Sequence, residues 1–162
     1  MAVFKEALQL KQVPLLSSLD SKQLKLLAFT CQVSEYADQD HLFHEGDTSD
    51  CVYVILDGTV EIIGSDKDGQ AVLIATLSGN NLIGEMAVLS GTSRTASIKA
   101  QGAVTALNIP NDRFLNLITE NPPVALRVMR DLSIKLAETS RHAADLQTHI
   151  DRLQSELDQN SG

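Results

Sequence analysis

The sequence is poor in cysteine, with no Cys-x-x-Cys pair and no His pair beside either thiol. Cys31 and Cys51 stand twenty residues apart, which gives a metal or iron–sulfur centre no ligand set. Both read as ordinary half-buried thiols in a reducing compartment. Positive charge is scarce: 13 Lys and Arg stand against 21 Asp and Glu, a net charge of -8. Such a surface repels nucleic-acid phosphates and anionic lipid, although one local site can still hold a small anion. No apolar run approaches the roughly 20 residues of a membrane span, and the amphipathic N-terminus MAVFKEALQLKQ lacks a cleavage site of small residues. There is also no Ser/His/Asp or Cys/His set and no nucleotide-hydrolysing loop. His41, His44, His142 and His149 divide between a turn and a helix surface. The expectation is a cytoplasmic protein that is not an enzyme, holds no metal or cofactor, and has no nucleic-acid or membrane partner.

What is present is one domain's worth of chain, 162 residues of which 43% are hydrophobic. Residues 3–12 and 20–31 carry apolar positions at helical spacing, with Asp20-Ser21 as an N-cap for the second. From about 33 to 109 the period changes to two. CVYVIL, TVEII, AVLIATL, RTASIKA and AVTALNI read as short strands, separated by Asp57-Gly58, by GSDKDG and by further Gly turns. That pattern predicts a barrel or roll, so the fold class is mainly β with flanking helices. GEMAVLSG interrupts it, with room for one or two helical turns. After Pro110, NDRFLNLITE predicts a helix capped by Asn111 or Asp112, and Asn121-Pro122-Pro123 restarts one with Pro in its first turn.

Beyond that restart, Met129, Leu132, Leu136, Thr139, Ala143, Leu146, Ile150, Leu153 and Leu157 alternate at spacings of three and four, an a/d seam. The roll is too small to cover its last three turns, so the seam needs a partner. Ile150 at a, between Leu146 and Leu153 at d, favours a parallel two-stranded coil, while Leu at other a positions leaves this open. The expected organisation is a roll with helices over 1–120, a helix continuing as coiled coil over 121–158, and a disordered tail over 159–162. A parallel homodimer through residues 125–157 is expected.

The segment GEMAVLSGTSRTA, residues 84–96, holds one carboxylate and one guanidinium nine residues apart. A turn at Ser78-Gly79-Asn80-Asn81, then a helical turn starting near Glu85, Met86 and Ala87, would expose backbone N–H groups suited to an anion. Gly84 permits close backbone approach. Arg94 adds a planar fork matched to one phosphate. Glu85 can only accept, so it wants hydroxyl or amine donors about one sugar away. Anion site plus hydroxyl site describe a compact ribose phosphate, against the alternative of a structural Glu85–Arg94 bridge closing the insertion.

The same run, GEMAVLSGTSRTAS, resembles the phosphate-binding cassette of cyclic nucleotide-binding domains, with LFHEGDTSDCVYVILDGTVEII similar to that family's strand signature and VPLLSSLDSKQLKLLA to its N-terminal helices. The resemblance covers residues 10–145 and implies a double-stranded, jelly-roll-like β-roll. It implies that Glu85 binds the ribose 2′-hydroxyl and Arg94 the cyclic phosphate, with backbone N–H groups near Gly84 and Ala87. Ser93 departs from the family, where many members have Pro. The catabolite-activator type is similar further on, with Asn121-Pro122 followed by a Thr139-Ser140 pair that in the family reaches adenine. The alternative for Thr139 is a polar seam residue that sets register. Ile62, Ile74 and Met86 are candidate apolar walls for base and sugar, against a plain core role. Thr95 resembles a residue used on the phosphate or on guanine. The ligand implied is cAMP rather than cGMP, with cGMP open.

The function implied is a cyclic-nucleotide-responsive module whose ligand orders the long helix and signals to an unknown downstream protein. Two alternatives stand beside it: a coiled-coil scaffold that has lost its ligand, and a transcription regulator of the Crp/Fnr type cut short. The latter needs a further helix-turn-helix, and the chain ends on the acidic LQSELDQNSG.

Overall fold

The structure, a computed structural model, describes residues 2–162, with side chains from Lys5 onward. Two units divide it, one ending at Val124 and one running from Ala125 to Gly162.

The first unit opens with α1 (Ala2–Lys11), a 3-10 turn (Pro14–Leu16) and α2 (Ser21–Thr30). The start of α2 is set by a capping box. Asp20 accepts from the Gln23 amide at 2.8 Å and the Gln23 side chain accepts from the Asp20 amide at 3.0 Å, an arrangement that contributes about 1 kcal/mol. Leu10, Val13, Leu16, Leu24 and Leu27 form the buried stripe of these helices.

Six antiparallel strands follow: β1 (Gln32–Tyr36), β2 (His41–Phe43), β3 (Cys51–Ser65), β4 (Ala71–Ser78), β5 (Leu82–Ile83) and β6 (Ser97–Pro110). They run in the order β1-β6-β3-β4, with β2 also on β6 and β5 also on β3. Leu42, Tyr53, Ile55, Val60, Ile98 and Val104 build the core of this roll.

One expectation from the sequence is corrected here. Asp57-Gly58 is not a turn between two short strands but an irregularity inside one strand of 15 residues. Both halves of β3 pair with β6, from Val52 opposite Ile109 to Ile63 opposite Ser97, and the register shifts on either side of Asp57. The SIKA end of RTASIKA and the whole of AVTALNI likewise merge into β6, which begins only at Ser97. A hairpin at Asp57-Gly58 would pair the two halves of β3 with each other; β6 takes both instead, so the strand bends where a hairpin would reverse. Gly58 makes the bend possible. Its φ is +95°, and a Cβ there would run into the carbonyl of Ala103. The GSDKDG loop does reverse the chain, with Asp66 Oδ1 accepting from the amides of Asp68 and Gln70, both at 2.8 Å.

The insertion forms α3 (Glu85–Ser90), and β6 leads into α4 (Asn111–Glu120). The cap of α4 also differs from expectation. Pro110 holds the N-cap position with no side-chain hydrogen bond, while Asn111 is drawn to the β2–β3 loop, its amide to Asp50 O at 3.1 Å and its Nδ2 to Ser49 O at 2.8 Å.

The second unit is the body of α5 (Pro122–Asn160), a helix of 39 residues. Arg127 and Asp131 at 3.4 Å, and Gln147 and Asp151 at 2.8 Å, are i,i+4 pairs on its surface, each contributing a few tenths of a kcal/mol. Leu136, Leu146, Ile150, Leu153 and Leu157 are all exposed along it. Gln159 and Asn160 continue the helix, and the Ser161 amide donates to Leu157 O.

Gly58→Ala should destabilise the fold by about 2–3 kcal/mol in urea titration, because strain and a backbone clash add together. Gly69→Ala, at φ +78° with open space around it, should lose only about 1 kcal/mol.

Candidate functional site

Arg94 and Glu85 are the buried charged residues among the described ones, each 3% exposed. The backbone of Arg94 is clamped to the β2–β3 loop: its amide donates to Asp47 O at 2.9 Å and its carbonyl accepts from the Gly46 amide at 2.8 Å. The EGD sequence therefore acts as a strut, with Asp47 also accepting from the His44 amide at 2.9 Å.

From that anchor the Arg94 side chain reaches under α3. Nη1 donates to Gly84 O at 3.2 Å, and Nη2 donates to Cys51 O at 2.6 Å. The guanidinium carbon lies 4.1 Å from the centroid of the Phe43 ring and 5.7 Å from that of Tyr53. Asp50 stands 3.9 Å from Nη2, with its own side chain 85% exposed to water. Nε is buried without a hydrogen-bond partner. Burial pushes the neighbouring Cys51 thiol above its ordinary range, and burial pushes Tyr53 up as well, so both stay neutral near neutral pH.

Gly84 is the N-cap of α3, with φ +86°, and a Cβ on it would meet Arg94 Nη1. The turn before it is built by Asn80, at φ +68°, and by Asn81, whose Nδ2 donates to Ser78 O at 2.7 Å. Glu85 opens α3, Ala87 is buried in its middle, and Gly91 closes it in the left-handed conformation, with the Gly91 amide donating to Ala87 O. Gly84, Glu85, Ala87 and Arg94 thus sit on one short helix and the strand lead-in behind it. A carboxylate and a cation withdrawn from water in this way can select a ligand carrying hydroxyl donors and an anion.

The other residues expected at the site lie as follows. Met86 is on α3 with its side chain 53% exposed. Thr95 follows Arg94 and is exposed. Ile62 is half-buried and packed on the core of the roll. Ile74 is 62% exposed and falls in the bulge where the β3–β4 register shifts between Ile62 and Ile63. Thr139 and Ser140 belong to the second unit and are exposed on α5, the Thr139 hydroxyl donating to Lys135 O at 2.8 Å. Phe43, Tyr53 and the Cys51 carbonyl were not anticipated. Phe43 precedes the EGD loop, and its aromatic character was the one available signal. A cavity of about 340 Å³, lined by Thr48, Ser49, Val88, Thr92 and Asn111 among others, opens beside α3, but neither Glu85 nor Arg94 lines it.

Residues 33–121 match the cyclic nucleotide-binding domain. The cAMP-activated global transcriptional regulator CRP of Pasteurella multocida is 28% identical over 117 residues, 72% of this chain and 56% of that protein. The cAMP-dependent protein kinase regulatory subunit of Blastocladiella emersonii is 33% identical over 109 residues, 67% of this chain and 27% of that protein. The chain therefore spans about half the length of the bacterial relative and less of the kinase subunit. The Thermus thermophilus Catabolite Activator Protein superposes with a TM-score of 0.72 at 27% identity, covering 83% of this chain and 63% of that one. The domain match takes in more than half of the chain and includes the whole Gly84–Arg94 cassette, and this protein belongs to the cyclic nucleotide-binding domain family.

Proposed function

We propose that the protein is a regulatory module that binds cAMP in preference to cGMP and carries no catalysis of its own. The observation that carries this reading is the burial of Glu85 and Arg94, each 3% exposed, at the two ends of the α3 segment. In this reading Arg94 takes the cyclic phosphate. One N–H of each Nη is given to the carbonyls of Gly84 and Cys51, which fixes the plane of the fork, and the other N–H groups, the unpartnered Nε–H among them, remain to donate. Glu85 accepts from the ribose 2′-hydroxyl, and amides near Gly84 and Ala87 complete the anion site. Met86, Ile62, Ile74 and Thr95 serve as walls and rim. Relatives named as cAMP-activated and cAMP-dependent support the choice of nucleotide.

Adenine is then read by Thr139 and Ser140 on α5, and the exposed seam of Leu136, Leu146, Ile150, Leu153 and Leu157 pairs with a second copy in parallel. Ligand binding shifts α5 toward one ordered geometry, and the coil hands that geometry to a downstream protein. Two free cysteines fit a cytoplasmic setting. The residue boundaries expected from the sequence, 1–120 for the sensor and 121–158 for the transmitting helix, belong to this reading. DNA binding is the second reading, favoured by the transcriptional regulator of which the matched part makes up 56%.

Calorimetry should show cAMP binding to the wild type more tightly than cGMP, and Arg94→Ala should weaken it about 100-fold, roughly 3 kcal/mol, because a charge-assisted contact is lost. Absence of binding by either nucleotide would leave the scaffold reading. Gly84→Ala, which drives a Cβ into the Arg94 fork, should weaken cAMP binding about tenfold or more in the same titration. Hydrogen exchange over residues 125–157 should slow when cAMP is added; unchanged exchange there rules out signalling through α5.

A further inference from the structure

We propose that Phe43 is the positioning residue for Arg94: its ring face carries the buried guanidinium without neutralising it, so that the full charge and the Nε–H stay available to the phosphate. This inference rests on the cyclic-nucleotide reading above.

A guanidinium whose side chain is 1% exposed ordinarily has a buried carboxylate against it. Arg94 is met differently, its ion-pair partner Asp50 being exposed rather than buried. The carbonyls of Gly84 and Cys51 are dipoles without net charge, and the Asp50 carboxylate stands 3.9 Å away in water. What covers the plane of the cation is the Phe43 ring at 4.1 Å. An aromatic face attracts a cation through its quadrupole and occupies no N–H. A carboxylate in that place would cancel part of the pull on an incoming phosphate, whereas the ring leaves it intact.

The backbone aims Phe43 there. Along a regular strand consecutive side chains alternate, yet Leu42 at 8% and Phe43 at 9% exposure are both buried. The register of β2 on β6 shifts between His41 and Phe43, and that shift turns the second side chain inward. Tyr53 braces it, with ring centroids 5.6 Å apart and its hydroxyl donating to Leu42 O at 3.4 Å. A leucine in place of Phe43 would fill the core but offer no face.

Two variants separate packing from electrostatics: Phe43→Leu, and Phe43→pentafluorophenylalanine, which keeps the ring's shape and reverses its quadrupole. Both should bind cAMP about tenfold more weakly than the wild type, while adenosine, which lacks the phosphate, binds all three alike. Phe43→Tyr should bind like the wild type. Equal losses for cAMP and adenosine, or unchanged cAMP binding in the fluorinated variant, overturn the proposal. In the nucleotide-free protein, the Arg94 Hε resonance should lie upfield in the ring current and move downfield in Phe43→Leu. If the wild type binds neither cAMP nor cGMP, the functional reading fails, and an Hε shift unchanged in Phe43→Leu then overturns the placement of the ring as well.

Discussion

A single buried cation organises this unit. Arg94 sits at 3% exposure, and an ionised group so placed has to be met by polar or polarisable groups on every side. Its neighbours come from stretches far apart in the chain: the Cys51 carbonyl at the start of β3, the Gly84 carbonyl at the entrance to α3 and the Phe43 ring on β2, while the loop backbone at Gly46 and Asp47 holds the main chain of the same residue. Each of these is held by the sheet. The cassette and the β2–β3 loop are therefore tied at one residue, the loop through its main chain and the carbonyls of Gly84 and Cys51 through its guanidinium, and removing the side chain would leave those two carbonyls without their common donor.

The roll supplies the precision for this. Cys51 lies opposite Pro110 and Tyr53 opposite both Asn108 and Ile83, so the start of β3 is paired on two sides before it meets Arg94. Central strands paired in this way open last, and α3, bracketed by left-handed Gly84 and Gly91, buries Glu85 and Ala87 beside them.

Much of this was legible in residues alone. Asp20 and Gln23 announce the start of α2, the GSDKDG loop announces a reversal, and a lone Glu and Arg around a short apolar segment announce a polar site in a β-rich unit. Strand length was not legible, because Asp57-Gly58 has the composition of a hairpin turn and only β6, some 40 residues later, decides that β3 continues. The cap of α4 is illegible for a related reason: Asn111 has a tertiary partner at Ser49 that outcompetes its local use. The role of Phe43 escaped because period-two alternation assigns only one of two consecutive residues to the core, and the register shift that buries both is invisible in the sequence.

The pairing scheme also bears on how the chain comes to be folded. β1, β2 and β3 all take β6 as a partner, with Gln32 lying opposite Asn108. During synthesis the first three strands emerge with that partner still untranslated, and β3 can find only β4 and β5 meanwhile. The sheet closes when residues 97–110 clear the ribosome, and the nascent chain carries open strand edges until then. A roll that depends on its last strand makes the steps before that strand arrives the time of greatest exposure to aggregation.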